Sequence, residues 1–111
     1  MRTHQTFEFD VVAANFRDIF ELMKITAAVL EGLQHVPKDD GEVRVTIFKD
    51  WSRSLKVQLH AEHSDQSYGT TVPDGCSEEM WTATLELHLY SLLMSTWEVE
   101  RDSETLLLTR R

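Results

Sequence analysis

Cysteine is nearly absent from the sequence, with Cys76 as the one example in 111 residues. No internal disulfide can form, which is typical of a protein in the reducing cytoplasm. No run of about eighteen apolar residues occurs, which excludes a membrane-spanning helix. Residues 1–6 lack the apolar core of a signal peptide, and the four glycines do not form a phosphate-binding turn. We therefore expect a cytoplasmic protein with no membrane partner.

Lysine and arginine are absent from residues 57–100, although this segment contains eight acidic residues. The rest of the chain has balanced charge, so the segment by itself accounts for the net charge of −8. Binding to nucleic acid requires basic side chains that displace counterions from the phosphates, so we expect no direct nucleic-acid contact. A basic protein partner is the natural complement of such a segment.

The most regular stretch of the chain is 11–36, which predicts one long amphipathic helix. Asp10 is its expected N-cap, and Pro37 ends it. The apolar residues that recur at steps of three and four define the predicted buried face: Val12, Phe16, Ile19, Phe20, Met23, Ala27, Leu30 and Leu33. A second apolar band lies beside this face: Leu22, Ile25, Val29 and Val36. The combined width suggests that a second chain packs on the helix.

Alternating apolar and polar residues predict β-strands at 5–9, 42–49, 54–62, 81–90, 97–101 and 105–109. The second and third of these form a hairpin, and the last two form another. Residues 81–90 alternate most clearly, although residues 77–80 could instead cap a helix. Residues 63–79 are predicted as a long irregular segment, in which 67–72 could add an edge strand. The sequence predicts a single domain over residues 1–111 with an α+β fold, in which one long amphipathic helix packs on a five- to six-stranded, mainly antiparallel sheet.

Four histidine and glutamate residues form the most plausible metal-binding pattern: His60, Glu62, Glu86 and His88. All four occupy outward positions of predicted strands, and two imidazoles with two carboxylates suit zinc or non-haem iron. The sequence does not set the register of these strands, so we interpret the four residues as ordinary solvated positions.

Cys76 is a candidate nucleophile by residue type. Its acidic neighbours Asp74, Glu78 and Glu79 raise the thiol pKa, which is opposite to what a nucleophile needs. We expect no catalytic residue, no metal site and no cofactor.

The aromatic residues divide into two groups. Trp81 and Trp97 are in phase with neighbouring leucines and are predicted to lie in the core. Trp51, at the tip of the first hairpin, and Tyr68 are predicted to be exposed, where such residues often anchor protein interfaces.

The charge pattern favours a small acidic protein-binding module that occludes a basic site on a partner protein. The predicted contact residues are Glu62, Asp65, Asp74, Glu78 and Glu79, with Tyr68 as the aromatic anchor. In size, acidity and lack of motif, the chain is similar to small phage and bacterial accessory proteins, which include inhibitor, immunity and counter-defence proteins.

Two other functions are compatible with the sequence. The first is a homodimeric structural or assembly protein, which would use the apolar band of residues 11–36 that includes Ile25 and Val29. The second is a small enzyme or a metal- or ligand-binding domain, which would work from the open sheet face or from a cleft under residues 63–79.

Overall fold

A computed structural model describes residues 16–102 and 105–111 of the chain. Within them, two helices and five strands confirm the predicted α+β class. In chain order the elements are α1 (Phe16–Gln34), β1 (Glu42–Trp51), β2 (Ser54–Ala61), β3 (Ser64–Thr71), α2 (Glu78–Leu93), β4 (Trp97–Asp102) and β5 (Thr105–Arg110). The predicted strand at 5–9 and the predicted N-cap Asp10 lie outside the described residues.

The five strands form one sheet in the order β3-β2-β1-β5-β4, and every neighbouring pair is antiparallel. Both predicted hairpins are confirmed, because β1 pairs with β2 and β4 pairs with β5. Apolar and polar residues alternate along the strands of these hairpins, which gives each strand one apolar face, and that face is buried. In the central strand β1, for example, Val43, Val45 and Ile47 are buried while Glu42, Arg44 and Phe48 are exposed.

Nearly half of the segment predicted to be irregular at 63–79 is instead the strand β3, which covers Ser64–Thr71. β3 pairs with β2 along its whole length, from Ala61 opposite Ser64 to Ser54 opposite Thr71. The suggested edge strand at 67–72 was therefore correct in kind but began too late. The side chains of β3 are almost all polar, so hydrophobic alternation gives little sign of this strand. Pairing with β2 and packing under α1 stabilise it.

The predicted strand at 81–90 is wrong, because these residues belong to α2. Ser77 is the N-cap, and its hydroxyl accepts a hydrogen bond from the Met80 N–H at 3.0 Å. The buried residues of the helix recur every four positions: Trp81, Leu85, Leu89 and Leu93. Positions four apart share a face in a strand and also in a helix, so these residues satisfy both patterns. Leu87 distinguishes the two structures, because a strand would bury it beside Leu85 and Leu89 whereas a helix turns it away from them. Leu87 is 41% exposed, as the helix requires.

The buried face of α1 differs from the predicted one. The second apolar band faces the core, where Leu22, Ile25 and Val29 are buried together with Leu33. Phe20 and Met23, which were predicted to be buried, are 56% and 58% exposed. The sequence shows an apolar arc wider than one stripe, and its periodicity alone does not decide which half meets the sheet.

Both helices pack on one face of the sheet, α1 over β2 and β3 and α2 over β4. Trp81 and Trp97 are 1% and 8% exposed, so their predicted core positions are confirmed. No helix in the described ranges is long and apolar enough to cross a lipid bilayer. The opposite face of the sheet carries the polar residues of each strand and is not covered by either helix.

Candidate functional site

The predicted partner-binding residues do not form one surface. Glu62 and Asp65 flank the turn between β2 and β3, whereas Asp74, Glu78 and Glu79 follow the far end of β3. The eight residues of β2 separate these two ends, which places them roughly 25 Å apart. A single acidic patch that includes all five carboxylates is therefore not present.

Tyr68 is not the exposed anchor that the sequence predicts. It lies on the helix-facing side of β3, is partly buried and packs against the core. Its hydroxyl donates a hydrogen bond to Gln66 Oε1 at 2.7 Å, and Gln66 Nε2 donates to the Gly32 carbonyl in α1 at 3.1 Å. Tyr68 therefore joins β3 to α1. Trp51 does match its prediction, since it is 77% exposed at the tip of the first hairpin.

Glu78 is engaged inside the molecule rather than available to a partner. Its carboxylate lies 3.1 Å from Lys49 Nζ and accepts a hydrogen bond from the Arg53 backbone N–H at 3.1 Å. The Lys49 ammonium, with help from the Arg53 amide, lowers the pKa of the Glu78 carboxyl below its ordinary value. These contacts attach the start of α2 to the turn between β1 and β2.

Arg53 orders the connection between β3 and α2. The residue has a positive φ of 58°, and its guanidinium donates to the carbonyls of Val72, Pro73 and Cys76. Burial is the main cause that raises the pKa of the Cys76 thiol, Asp18 raises it further, and Arg53 opposes both. The raised thiol pKa has the predicted direction but not the predicted cause, since burial and Asp18 act on Cys76 instead of Asp74, Glu78 and Glu79.

The four residues considered as a metal site are not brought together. His60 lies near the end of β2 and Glu62 in the turn between β2 and β3, but Glu86 and His88 lie on α2. Glu86 accepts a hydrogen bond from Arg101 Nε at 3.0 Å. Burial lowers the pKa of His88, which favours the neutral imidazole. The grouping depended on residues 81–90 being a strand.

A different cluster forms where the chain enters β1, around the buried carboxylate of Asp40. Asp40 is 0% exposed and accepts two hydrogen bonds from His63, from its backbone N–H at 3.0 Å and its Nδ1 at 2.6 Å. The side-chain hydrogen bond is the main cause that lowers the pKa of Asp40 and raises that of His63. Glu62 completes the cluster, and one donor atom of each of the three residues lies within 4.8 Å of the others.

The sequence gives no sign of a role for Asp40, because this residue lies in a Lys-Asp-Asp-Gly turn, where aspartate is common for purely local reasons. Its partner is 23 residues away and comes close only through the pairing of β1 with β2. His63, just after a predicted strand, was the one available sign of this cluster.

An open depression of about 510 Å³ lies next to the Asp40–Glu62–His63 cluster. Its lining shares Glu62 with the cluster and otherwise comes from β1, β2 and the residue before β1: Gly41, Glu42, Arg44, His60 and Ala61. Arg44 and His60 are directly opposite each other in the register of β1 and β2. The depression therefore presents an arginine and an imidazole beside a group of carboxylates.

The edge strand β4 carries a second acidic feature. Glu98, Glu100 and Asp102 are exposed and alternate along the sheet face that the helices leave uncovered. Their partners in β5 are uncharged: Thr109, Leu107 and Thr105. Within the described ranges, no lysine, arginine or histidine forms an ion pair with these three carboxylates. We refer to Glu98, Glu100 and Asp102 as the β4 acidic row.

Comparisons with known proteins found no match to a protein-family model, to a curated protein or to a solved structure.

Proposed function

We propose that the protein binds a basic, extended segment of a partner protein along β4 and thereby occludes a basic site of that partner. The observation that carries this proposal is the β4 acidic row, whose three carboxylates alternate without a counter-ion in the part of the chain that the structure describes. This keeps the function expected from the charge pattern but moves the contact surface away from residues 62–79.

The position of β4 in the sheet allows backbone hydrogen bonds to the bound segment, in addition to the charge pairs. Among the described strands, β4 pairs with β5 on one side only, so its other edge offers backbone N–H and C=O groups to an added strand. An added strand would place every second side chain next to the β4 acidic row. Lysine or arginine at those positions would form cross-strand pairs of opposite charge.

Occlusion follows if the captured segment normally contacts nucleic acid or another anion. The carboxylates of the β4 acidic row would then occupy the basic side chains that the partner needs for that contact. An inhibitor, immunity or counter-defence protein acts in this way, and we place its action in the cytoplasm, where one unpaired cysteine is ordinary.

A synthetic peptide with alternating lysine and threonine residues tests the proposal directly. The fluorescence anisotropy of the labelled peptide would be measured as protein is added, first the wild type and then a triple variant. The triple variant is Glu98→Gln/Glu100→Gln/Asp102→Asn, which removes the three charges but keeps the side-chain shapes. We expect the triple variant to bind roughly 3- to 150-fold more weakly, since three cross-strand charge pairs of about 0.2–1 kcal/mol each contribute about 0.6–3 kcal/mol. Amide exchange in β4 should also slow when the peptide binds.

A matched variant with the same change in net charge provides the control. Glu31→Gln/Asp74→Asn/Glu79→Gln neutralises three exposed carboxylates away from β4 and should leave peptide affinity nearly unchanged. Equal losses of peptide affinity in the two triple variants would mean that the protein attracts any polycation nonspecifically. A loss of affinity in the control variant alone would place the contact at residues 74–79. Either result would overturn binding at β4.

A homodimer is the second candidate, and the exposure of Phe20 and Met23 favours it. Ile25 and Val29 are 4% and 0% exposed, so they support the core of the monomer and are not available to a second chain. A dimer through α1 would use the exposed pair instead. Sedimentation of Met23→Glu tests this, with loss of a wild-type dimer as the supporting result and a wild-type monomer as the contradicting one.

A further inference from the structure

We propose that Asp40, Glu62 and His63 bind a divalent transition-metal ion, for which Zn²⁺ is the representative cation. One donor atom of each residue lies within 4.8 Å of the other two. One imidazole nitrogen and two carboxylate oxygens are ligands that zinc and its first-row neighbours accept, whereas magnesium and calcium prefer oxygen ligands alone. The site is separate from the β4 acidic row and does not depend on the function proposed for it.

The buried charge of Asp40 is the physical reason for a cation at this place. Its carboxylate is 0% exposed, and among the described residues its one ion-pair partner is His63, which is charged only when protonated. The nearby Arg110 donates instead to the carbonyls of Val36 and Pro37. Arg110 therefore acts on Asp40 only through its nearby charge. A buried carboxylate whose one ion-pair partner can lose its charge is costly, and a divalent ion supplies a permanent charge in direct contact.

Two separate segments hold the donor atoms in place. Asp40 immediately precedes β1, while Glu62 and His63 form the tight turn between β2 and β3. The hydrogen bond from the His63 backbone N–H to Asp40, at 3.0 Å, fastens the turn to the start of β1. The side chains of Glu62 and His63 are exposed, so they can rotate toward an ion while Asp40 stays fixed.

Three protein ligands would leave further coordination positions open to water or to an oxygen ligand. The open positions would lie beside the depression that shares Glu62 with the cluster. Open coordination positions are typical of a metal site that binds a further ligand rather than one that only supports the fold.

Titration of the purified protein with Zn²⁺, followed by calorimetry, tests the proposal, and Co²⁺ reports ligand geometry through its visible absorption. We expect one ion per chain, with affinity at least ~10-fold lower in His63→Gln and in Glu62→Gln. Glu62 is exposed, so its substitution should leave the fold intact even if His63→Gln loosens the turn. The His63 ring resonances should shift on binding in the wild type.

The neighbouring pair His60 and Asp65 offers a matched control, because its imidazole and carboxylate are exposed and lie 3.7 Å apart. His60→Gln/Asp65→Asn should keep the wild-type affinity. Three results would overturn the proposal: no stoichiometric binding by the wild type, unchanged affinity in both His63→Gln and Glu62→Gln, or an equal loss in the control variant. Binding of Mg²⁺ in preference to Zn²⁺ would also contradict the assigned ligand class.

Discussion

Gly32 in α1 lies directly against Tyr68 in β3, so closely that a Cβ atom at position 32 would overlap the tyrosine hydroxyl. The same Cβ would lie 2.9 Å from Leu59 Cδ1 and 3.0 Å from Gln66 Oε1. The absence of a side chain at Gly32 therefore lets α1 approach β3 closely. A glycine that weakens the last helical turn in isolation is what allows the tertiary contact.

Gly32→Ala should destabilise the protein despite the better helix propensity of alanine. The propensity gain is about 1 kcal/mol, whereas overpacking against Tyr68 and Gln66 costs about 1–3 kcal/mol, so we expect a net loss of up to about 2 kcal/mol in chemical denaturation. Gly41→Ala is the control, because no atom lies within 4 Å of its added Cβ, and it should change stability by less than about 0.5 kcal/mol. Adding Tyr68→Phe to Gly32→Ala should recover part of the loss; no recovery would mean that the hydroxyl is not the obstacle.

The Asp40–His63 pair should make stability depend on pH in two opposite ways. The lowered pKa of Asp40 means that its contribution is complete above the ordinary carboxyl value of 3.8 and disappears as the pH falls through its folded-state pKa. The raised pKa of His63 means that its contribution is complete below 6.5 and disappears as the pH rises through its folded-state pKa. The pair should therefore stabilise most between these two values.

Thermal unfolding of the wild type and His63→Gln, in buffers that contain a chelator, measures this effect. The difference in Tm should be largest in mildly acidic solution and should shrink as the pH rises above 6.5. In an Asp40→Asn background, substitution of His63 should change Tm by a similar amount at each pH. A pH-independent difference in the wild-type background would contradict the ion pair.

Arg53 should be the main support of the segment between β3 and α2. Arg53→Asn keeps a residue type that tolerates positive φ but removes the guanidinium that binds three carbonyls. We expect a loss of about 1–3 kcal/mol in the free energy of unfolding. Loosening this segment should also expose the Cys76 thiol. Because burial shifts the thiol pKa more than Arg53 does, the thiol should react faster with a thiol reagent. Arg44→Asn, at an exposed position, should change neither quantity appreciably.

Substitutions in α2 should separate the helical arrangement from the strand that alternation predicts. Leu89→Ala should cost about 2–5 kcal/mol, because Leu89 is 0% exposed in the core. Leu87→Ala should cost less than about 1 kcal/mol, because Leu87 is 41% exposed. Denaturant unfolding of the two variants gives the comparison, and equal losses would support a strand with both leucines on one buried face.

Much of the fold was predictable wherever a local pattern had one interpretation. In β1 and β2, Val43 and Leu59 belong to strict alternations that only a strand explains, so these strands and their hairpin were found correctly. The same pattern failed over 81–90, because Trp81, Leu85 and Leu89 share a face in either structure. The polar strand β3 left no apolar pattern to find.

The candidate sites were less predictable than the fold. The sequence showed the excess of carboxylates over residues 57–100, but it did not show which of them lie together. Glu78 and Glu86 form ion pairs with Lys49 and Arg101 from distant elements. Glu98 belongs to the acidic segment, but its place at the edge of the described sheet depends on strand order.

The sequence by itself determined the charge balance, the α+β class, the two hairpins and the burial of both core tryptophans, because these depend on composition and on patterns among near neighbours. The tertiary structure decided which band of α1 meets the sheet, that residues 78–93 form a helix, and that Asp40 meets His63. Those outcomes depend on strand order and register, which bring together side chains that are far apart in the chain. Local periodicity in the sequence does not indicate contacts between residues that are far apart in the chain.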